Sequence, residues 1–597
     1  MISLDTTKIT GEGTGQKLNS ERQDARMKNR KGRVSAPLVF ALSGFFLGLF
    51  FIPEKISPFL LGVLPFLFVP LFLPNAFFSS GAKEYHSNKK QERTSGQSFF
   101  LGWIFGMVEA LTSLWWVVPT IKHFGHLPFI LALLSLFILS SYLGLFTGLV
   151  QFGLDIWKQK KSASASDPVT LSLLGACLWT IMEVLRSELF TGFPLNPLGD
   201  LIWGQKLLIP NASIIGATGM SFAIVFISGL LSAVIVPILE KISPKRFRAQ
   251  AFPAASILLL TVFTCFIMGG TLAKKPDKPG TQSIKVGVIQ GNIPQDLKWT
   301  SQYLKDTLHT YHQLSEQALI QGAKILLWPE TAIPVVIDSP PRSLVPALNK
   351  ALNLPVPLVT GTIGLVREPN RFGFSFSNDA IVRSRNGETL GRYTKMHLVP
   401  FGEYIPFPSI FGWLREMTGI TGDLVPGNQQ ELFTPFDQEA SPTNSDAYGR
   451  IRIGPIICYE AMYPSLVHQL VLKGANLLVV FTDDAWYGKT AASHQLYQQT
   501  MMRAIEEGVP MIRAANSGYS GVISGRGELI RTSGRFTKES ITSTVPLDSH
   551  ETFYRKHGEW VFRISLLIFL FLLAIREMEF HNSGIKSGPV QTTNNKS

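Results

Sequence analysis

The chain has 597 residues, 46% of them hydrophobic, with a formal net charge of +13 at pH 7 and a mean hydropathy of +0.19. It is too long for one domain and too apolar on average to lie wholly in water. The excess charge sits in a tail and in short connections between apolar stretches, and no basic stripe interleaved with stacking aromatics is present, which excludes nucleic acid as the partner.

A basic tail, residues 1–35, contains RQDARMKNRKGR and leads into the first of eight stretches of about 18 or more apolar residues, each able to cross a hydrocarbon layer about 30 Å thick. Seven fall at 36–53, 57–74, 98–118, 128–150, 169–190, 212–239 and 251–270, so residues 36–270 are predicted to form a seven-helix membrane region. No small-residue cleavage site follows the first stretch, so it is not read as a cleaved signal peptide. The eighth stretch, predicted at 556–576, contains EWVFRISLLIFLFLLAI and is followed by a tail at 577–597. Lysine and arginine fix the orientation. KKQER, KQKK and KRFR occupy the second, fourth and sixth connections, whereas the first, third and fifth carry only Lys55, Lys122, and Arg186 with Lys206. Basic connections stay in the cytoplasm, which places both tails there and residues 271–555 on the far side of the membrane.

Residues 271–555 have ordinary mixed polarity and an alternating β/α rhythm. SIKVGVIQGNI reads as a strand. Residues 301–321 carry Leu304, Leu308, Tyr311, Leu314 and Ala318 at helical spacing, closed by Gly322, and KILLW reads as a short buried strand. VPLVTG, a hairpin SNDAIVRSRNGETLGRY turning at Asn386-Gly387, the strands RIGPIIC and NLLVVF, a helix near 494–507 and closing strands at 511–531 complete a layered α/β or α+β domain.

Cys458 is the lone cysteine of that domain, since Cys177 and Cys265 fall within apolar stretches and read as small filler. A free thiol without a disulfide partner, in a compartment that permits disulfides, is either a buried core residue or a used nucleophile. Three strand ends bear on the choice: WPETAIP with Glu330, YTKMHLVPFGEYIP with Lys395 and Glu403, and IGPIICYEAMYP with Cys458. A thiol with an ordinary pKa of about 8.5 needs a base or a nearby cation to act at neutral pH. Glu330 is suited to take the proton, and Lys395 to stabilise the thiolate and then an oxyanion. Singly, each has a plainer reading: a glutamate after Trp-Pro caps helices, and a loop lysine is ordinarily solvated.

WPE, then the lysine of KMHLVPFGEYIP, then CYE resembles the nitrilase superfamily, whose catalytic set is Glu, Lys and Cys. Combined with the membrane stretches, the pattern is similar to one branch of it, the apolipoprotein N-acyltransferase family. LFTGFPLNPLG (189–199), VIQGNIPQDLKW (288–299), DDAWYG (483–488) and MMRAIEEGVPMIRAANSGYSGVI extend the resemblance along the chain. Two departures are visible: Leu195 stands where the family often has Trp, and Thr482-Asp483 where it usually has Ser-Asn.

The resemblance implies a multi-pass α-helical membrane bundle carrying an exported nitrilase-like αββα sandwich, in a bacterial inner membrane with the catalytic domain on the periplasmic side. It implies acyl transfer through a Cys458 thioester, from a phospholipid donor among the membrane lipids to the N-terminal amine of a diacylglyceryl apolipoprotein. Glu330, Lys395 and Cys458 would be catalytic, Glu403 would orient Lys395 or share the proton work, and Glu460 would position the Tyr459 segment, whose backbone N–H groups help hold the oxyanion. Phe407 and Trp413, on the Gly/Pro-punctuated stretch 404–427, suit a mobile apolar arm on the bilayer or a loop packed on the domain. Trp486 either lines an acyl channel or fills core. No cofactor is implied, and His397 and His494 lack partners at recognised metal-ligand spacings. Two rivals stay open: a membrane-anchored amidase using the same triad on a small amide, and a transport or scaffold protein with a degenerate domain.

Overall fold

We describe a computed structural model of the chain over residues 35–53, 56–73, 95–159, 167–239, 243–273, 282–367, 374–413, 424–436, 450–547 and 549–585. The apolar N-terminal half forms α1 (Ala36–Phe50), α2 (Pro58–Phe72), α3 (Ser95–Ser113), α4 (Val117–Phe124), α5 (Phe129–Gln159), α6 (Pro168–Glu188), α7 (Ala212–Leu239) and α8 (Pro244–Ala273). Segments Phe129–Gln159, Pro168–Glu188, Ile209–Ile238 and Phe247–Ala273 are long and apolar enough to cross a membrane. α1 and α2 are shorter apolar helices of 15 residues each.

The stretch expected to run unbroken over 98–118 instead bends by 54° between α3 and α4. Pro119 has no N–H with which to continue the helical ladder there. The carbonyl freed at Ser113 accepts from Gln495 Nε2 at 3.0 Å, which also donates to Phe51 O at 3.2 Å, while Trp116 Nε1 donates to Gln495 Oε1 at 3.0 Å. One glutamine of the second half thus satisfies the ends of two membrane helices, groups that a helix cannot pair internally.

The second half contains two sheets. β1 (Ser283–Gln290), β2 (Ile325–Leu327), β3 (Ile333–Val336), β4 (Leu358–Arg367), β5 (Phe374–Arg383), β6 (Thr389–Thr394) and β12 (Glu539–Pro546) form the first, in the order β12-β1-β2-β4-β5-β6 with β3 beside β4. β7 (Ile453–Ile457), β8 (Leu477–Thr482), β9 (Met511–Ala515), β10 (Gly521–Ile523) and β11 (Leu529–Thr532) form the second, in the order β11-β10-β9-β8-β7. Sequence patterning closes the strands at 531, and β12 is the difference. Its run ESITSTVP is too rich in Ser and Thr to look buried, but it pairs antiparallel along all of β1, Ser283 opposite Pro546 and Gln290 opposite Glu539.

The sheets face each other across one core, in which Val286, Val288 and Val382 of the first meet Ile457, Val479, Phe481 and Ile512 of the second. α9 (Ser301–Ile320) and α10 (Val345–Leu352) cover the outer face of the first sheet. α11 (Pro464–Leu472) and α12 (Ala492–Glu507) cover that of the second. The layers are therefore helix, sheet, sheet, helix, as the resemblance implies.

α12 is buried along its whole length because its far side rests on the membrane helices. Glu506 Oε1 accepts from Ala217 N at 2.7 Å, an amide exposed by a break in α7 at Gly216 (φ 67°). The described residues close with α13 (Trp560–Ile585), whose Trp560 Nε1 donates to Ile214 O at 2.7 Å.

Candidate active site

β7 ends at Ile457, and Cys458 follows with φ 52°, a left-handed backbone that a non-glycine residue adopts at a cost of about 1–2 kcal/mol. Glu460 holds the turn. Its Oε2 accepts from Ile457 N at 2.7 Å, and its Oε1 accepts from Tyr393 Oη and Met396 N at 2.7 Å and His397 N at 3.2 Å. One buried carboxylate therefore ties the strand end that presents Cys458 to the strand end that presents Lys395.

Glu330 follows β2 in a turn that is not helical, so it caps no helix. β4 crosses directly behind it: a Cβ on Gly361 would stand 2.3 Å from Thr331 N and 2.7 Å from Glu330 Cα, so only glycine fits. Glu330 Oε1 accepts from Asn378 Nδ2 at 2.7 Å, and Oε2 accepts from Asp483 N at 2.9 Å. Asn378 Nδ2 also donates to Glu403 Oε1 at 3.1 Å. Lys395 Nζ lies 2.8 Å from Glu403 Oε1 and 3.5 Å from Glu330 Oε1, with its side chain only 1% exposed. Val399 N donates to Glu403 Oε2 at 2.8 Å, which fixes the second carboxylate.

Burial pushes the Glu330 carboxyl above the usual range; Lys395 opposes this and the Glu403 charge adds to it. Burial also pulls on the Lys395 ammonium, but the carboxylates of Glu403 and Glu330 outweigh that and hold its pKa up, so it stays charged. The Cys458 thiol is pushed up by burial and by Glu330, against the pull of Lys395. The three groups thus act on one another electrostatically within one buried centre, in which the resting sulfur is a thiol beside a carboxylate of raised basicity. Thr482 Oγ1 lies 3.4 Å from the sulfur and 2.9 Å from Asp484 Oδ1, and its single proton serves one of them at a time.

Sequence reasoning passed over several members of this centre. Asn378 bridges the two glutamates from inside a buried strand. Lys298 donates to Glu330 O at 3.1 Å and pairs with Asp483 at 2.5 Å, both side chains being at most 3% exposed. Asn516 Nδ2 in turn donates to Asp483 Oδ1 at 3.0 Å. The available signal was a polar residue in an otherwise apolar strand, as in SNDAIV.

Phe407, Trp413 and Trp486 stand outside this hydrogen-bonded cluster. Phe407 and Trp413 are both more than half exposed, which sets aside a packed loop at those two positions. The part of the expected arm at 414–423 lies outside the described residues. Trp486 is 39% exposed and meets Phe124 of α4 edge-on at 5.1 Å, so it does not fill the domain core. Among the described residues no group of three or more His, Cys, Asp or Glu side chains is placed to hold a metal ion.

The carbon-nitrogen hydrolase family matches residues 285–555, and the apolipoprotein N-acyltransferase N-terminal domain matches residues 43–230. An apolipoprotein N-acyltransferase of Geobacter metallireducens is 30% identical over 523 residues, covering 87% of this chain and 91% of that protein. The chain belongs to the apolipoprotein N-acyltransferase family. A second member, from Haemophilus ducreyi, is 31% identical over 474 residues, covering 77% of this chain and 85% of its own length. In this member of the family the junction between the halves lies beside Cys458. Tyr459, Met462, Tyr463 and Leu496 of the catalytic half share one apolar cluster with Ala110, Leu114, Val118, Leu136 and Leu143 of the membrane helices. The residue next to Cys458 is therefore packed into the membrane bundle.

Proposed function

We propose that this protein transfers a fatty acyl chain from a membrane phospholipid to the N-terminal amine of diacylglyceryl-cysteine apolipoproteins, with Glu330, Lys395 and Cys458 as the catalytic residues. The observation that carries the reading is the position of the thiol: a buried Glu–Lys–Cys centre whose very next residue belongs to the apolar cluster of the membrane helices.

Cys458 Sγ attacks the ester carbonyl as Glu330 takes the thiol proton. Lys395, with backbone N–H groups near Tyr459, holds the oxyanion. The bond from the carbonyl carbon to the glycerol oxygen breaks, protonated Glu330 returns the proton to that oxygen, and the lysophospholipid leaves a thioester on Cys458. The acceptor amine then attacks the thioester, Glu330 takes the amine proton, and as the C–S bond breaks Glu330 gives that proton to the departing sulfur, leaving the amide, the free thiol and the Glu330 carboxylate. A carboxylate of raised basicity is better matched to both proton transfers than an ordinary one. Glu403 keeps Lys395 in place, and Glu460 fixes the Tyr459 turn.

We assign residues 1–35 and 577–597 to cytoplasmic tails, 36–270 and 556–576 to the membrane of a bacterial inner membrane protein, and 271–555 to the periplasmic side. The support is the distribution of Lys and Arg among the connections. Exposed Phe407, Ile410, Trp413 and Trp486 are suited to contact lipid and substrate chains.

Reconstitution of the full chain in vesicles containing acyl-labelled phospholipid, with a diacylglyceryl cysteine peptide, tests the proposal. The expected product is the N-acylated peptide, lost in Cys458→Ala. Release of labelled fatty acid with no labelled peptide would favour the amidase-like hydrolase instead.

A further inference from the structure

The connection from α6 to α7, running through Phe190-Thr191-Gly192-Phe193-Pro194, is gripped from both sides. From the catalytic half, three carbonyls of this loop accept side-chain donors. Thr191 O accepts from His397 Nε2 at 3.0 Å and Tyr463 Oη at 3.2 Å, Gly192 O from Tyr459 Oη at 3.2 Å, and Pro194 O from Gln499 Nε2 at 2.9 Å. His397 lies two residues from Lys395, and Tyr459 follows Cys458 directly. The His397 and Tyr463 rings are 3.8 Å apart between centroids, and the Tyr459 and Tyr463 rings 5.4 Å.

From the membrane half, the same loop hangs on the last two turns of α6. Arg186 Nη2 donates to Leu195 O at 3.1 Å, Phe193 N donates to Arg186 O at 2.8 Å, and Leu198 N donates to Glu183 Oε2 at 3.2 Å. Trp179 Nε1 donates to the same Glu183 oxygen at 3.2 Å. Gly192 has φ 71°, and a Cβ there would meet Ser187 O at 2.1 Å, so the turn that aims these carbonyls requires glycine. Two ionisable side chains that the proposed acyl transfer does not use, in a helix where charge is costly, are thus spent on one loop.

We infer that Arg186 and Glu183 are positioning residues for the reaction: through the carbonyls of Thr191 and Gly192 they set the placement of Tyr459 and His397, and hence of the Cys458 and Lys395 strand ends. The inference rests on the catalytic assignment above. It makes the membrane helix α6 part of the reaction centre's scaffold, so that reactivity depends on the bundle being assembled. Because the chemistry tolerates a displacement of only about 1 Å before losing on the order of 100-fold in rate, a loosened loop is read as slow chemistry rather than lost binding.

The test measures single-turnover formation of the Cys458 thioester by full-length protein in phospholipid nanodiscs, together with the thermal midpoint of each variant. Arg186→Gln is expected to slow thioester formation by about 10- to 100-fold, and Arg186→Lys, which keeps a cationic donor for Leu195 O, to recover most of that loss. Tyr459→Phe, which removes the hydroxyl held by Gly192 O, is expected to slow the step as well. The double variant Arg186→Gln/Tyr459→Phe should be no slower than the slower single one, because both changes cut the same path. A wild-type rate in Arg186→Gln would overturn the inference, as would multiplicative losses in the double variant or equal losses in the Lys and Gln variants. Gly192→Ala supplies an independent cut, and a wild-type rate there would also overturn it. A wild-type protein that forms no thioester would instead refute the catalytic assignment, so the two failures are distinguishable.

Discussion

Lys395 Nζ stands 0.7 Å closer to Glu403 Oε1 than to Glu330 Oε1, at 2.8 against 3.5 Å. The ammonium is therefore paired more closely with Glu403 than with Glu330, the carboxylate we propose as the base. Two carboxylates share one ammonium, and burial, opposed by Lys395 and aided by the Glu403 charge, keeps the Glu330 carboxyl basic.

Neutralising Glu403 should make Glu330 a weaker base in two ways, by removing a like charge and by freeing Lys395 to pair with Glu330. In Glu403→Gln the acidic limb of the pH profile for thioester formation is expected to move to lower pH, with a reduced plateau rate. Single-turnover rates across pH measure this directly, and an unmoved limb would contradict the electrostatic account.

Glu330→Gln separates stability from activity. A carboxyl whose pKa is raised on folding binds its proton more tightly folded than unfolded. Ionising it therefore costs folding free energy as pH rises through the folded value, and the cost is absent below the unfolded one. The amide removes that cost and leaves Lys395 paired with Glu403, while its single oxygen leaves one of the two donors, Asn378 Nδ2 or Asp483 N, unmet, so the two effects oppose. At pH 8 the variant should show no acyl transfer and a thermal midpoint near that of wild type; acyl transfer at a wild-type rate would count against the assignment.

Lys395→Met should behave in the opposite way. It strands the buried Glu330 carboxylate and the partly exposed Glu403 carboxylate without their cation, a change worth up to about 3–5 kcal/mol when a buried pair is broken. Chemical denaturation should register the loss alongside abolished transfer, and Lys395→Arg should not restore activity, since a planar guanidinium cannot occupy the place of a compact ammonium.

Glu460→Gln tests the joint between the two strand ends. The carboxylate accepts four hydrogen bonds, three from backbone amides and one from Tyr393. An amide has one acceptor oxygen, so donors are left unmet at about 1–3 kcal/mol each. Thioester formation should slow by more than about 10-fold, with a lower thermal midpoint, because Cys458 and Lys395 lose their common tether; wild-type kinetics would show that the tether is unnecessary.

The parts of this structure legible in the sequence are those written in local pattern. Apolar stretches gave the helices, alternation gave β1, β5 and β6, and WPE, the KMHLVPFGEYIP lysine and CYE gave the three groups that meet in the site. What was not legible depends on contacts between distant segments. β12 is polar by composition and becomes a strand only by pairing with β1. The bend between α3 and α4 is stabilised by Gln495, a residue on the far side of the chain. Asn378 looks like any polar strand residue until Glu330 and Glu403 are placed on either side of its amide. Lys298 and Asp483 were each within quoted motifs, yet nothing in either motif says that they pair.

Peptide-level mass spectrometry of the full-length protein, quenched after mixing with phospholipid and again after addition of a diacylglyceryl cysteine peptide, tests the central claim most directly. The account predicts an acyl mass on the peptide bearing Cys458, absent in Glu330→Gln and Cys458→Ser, that disappears when the acceptor is added and reappears on the acceptor's amine. An acyl group found on another residue, or a Cys458 adduct that water discharges as fast as the acceptor does, would contradict it.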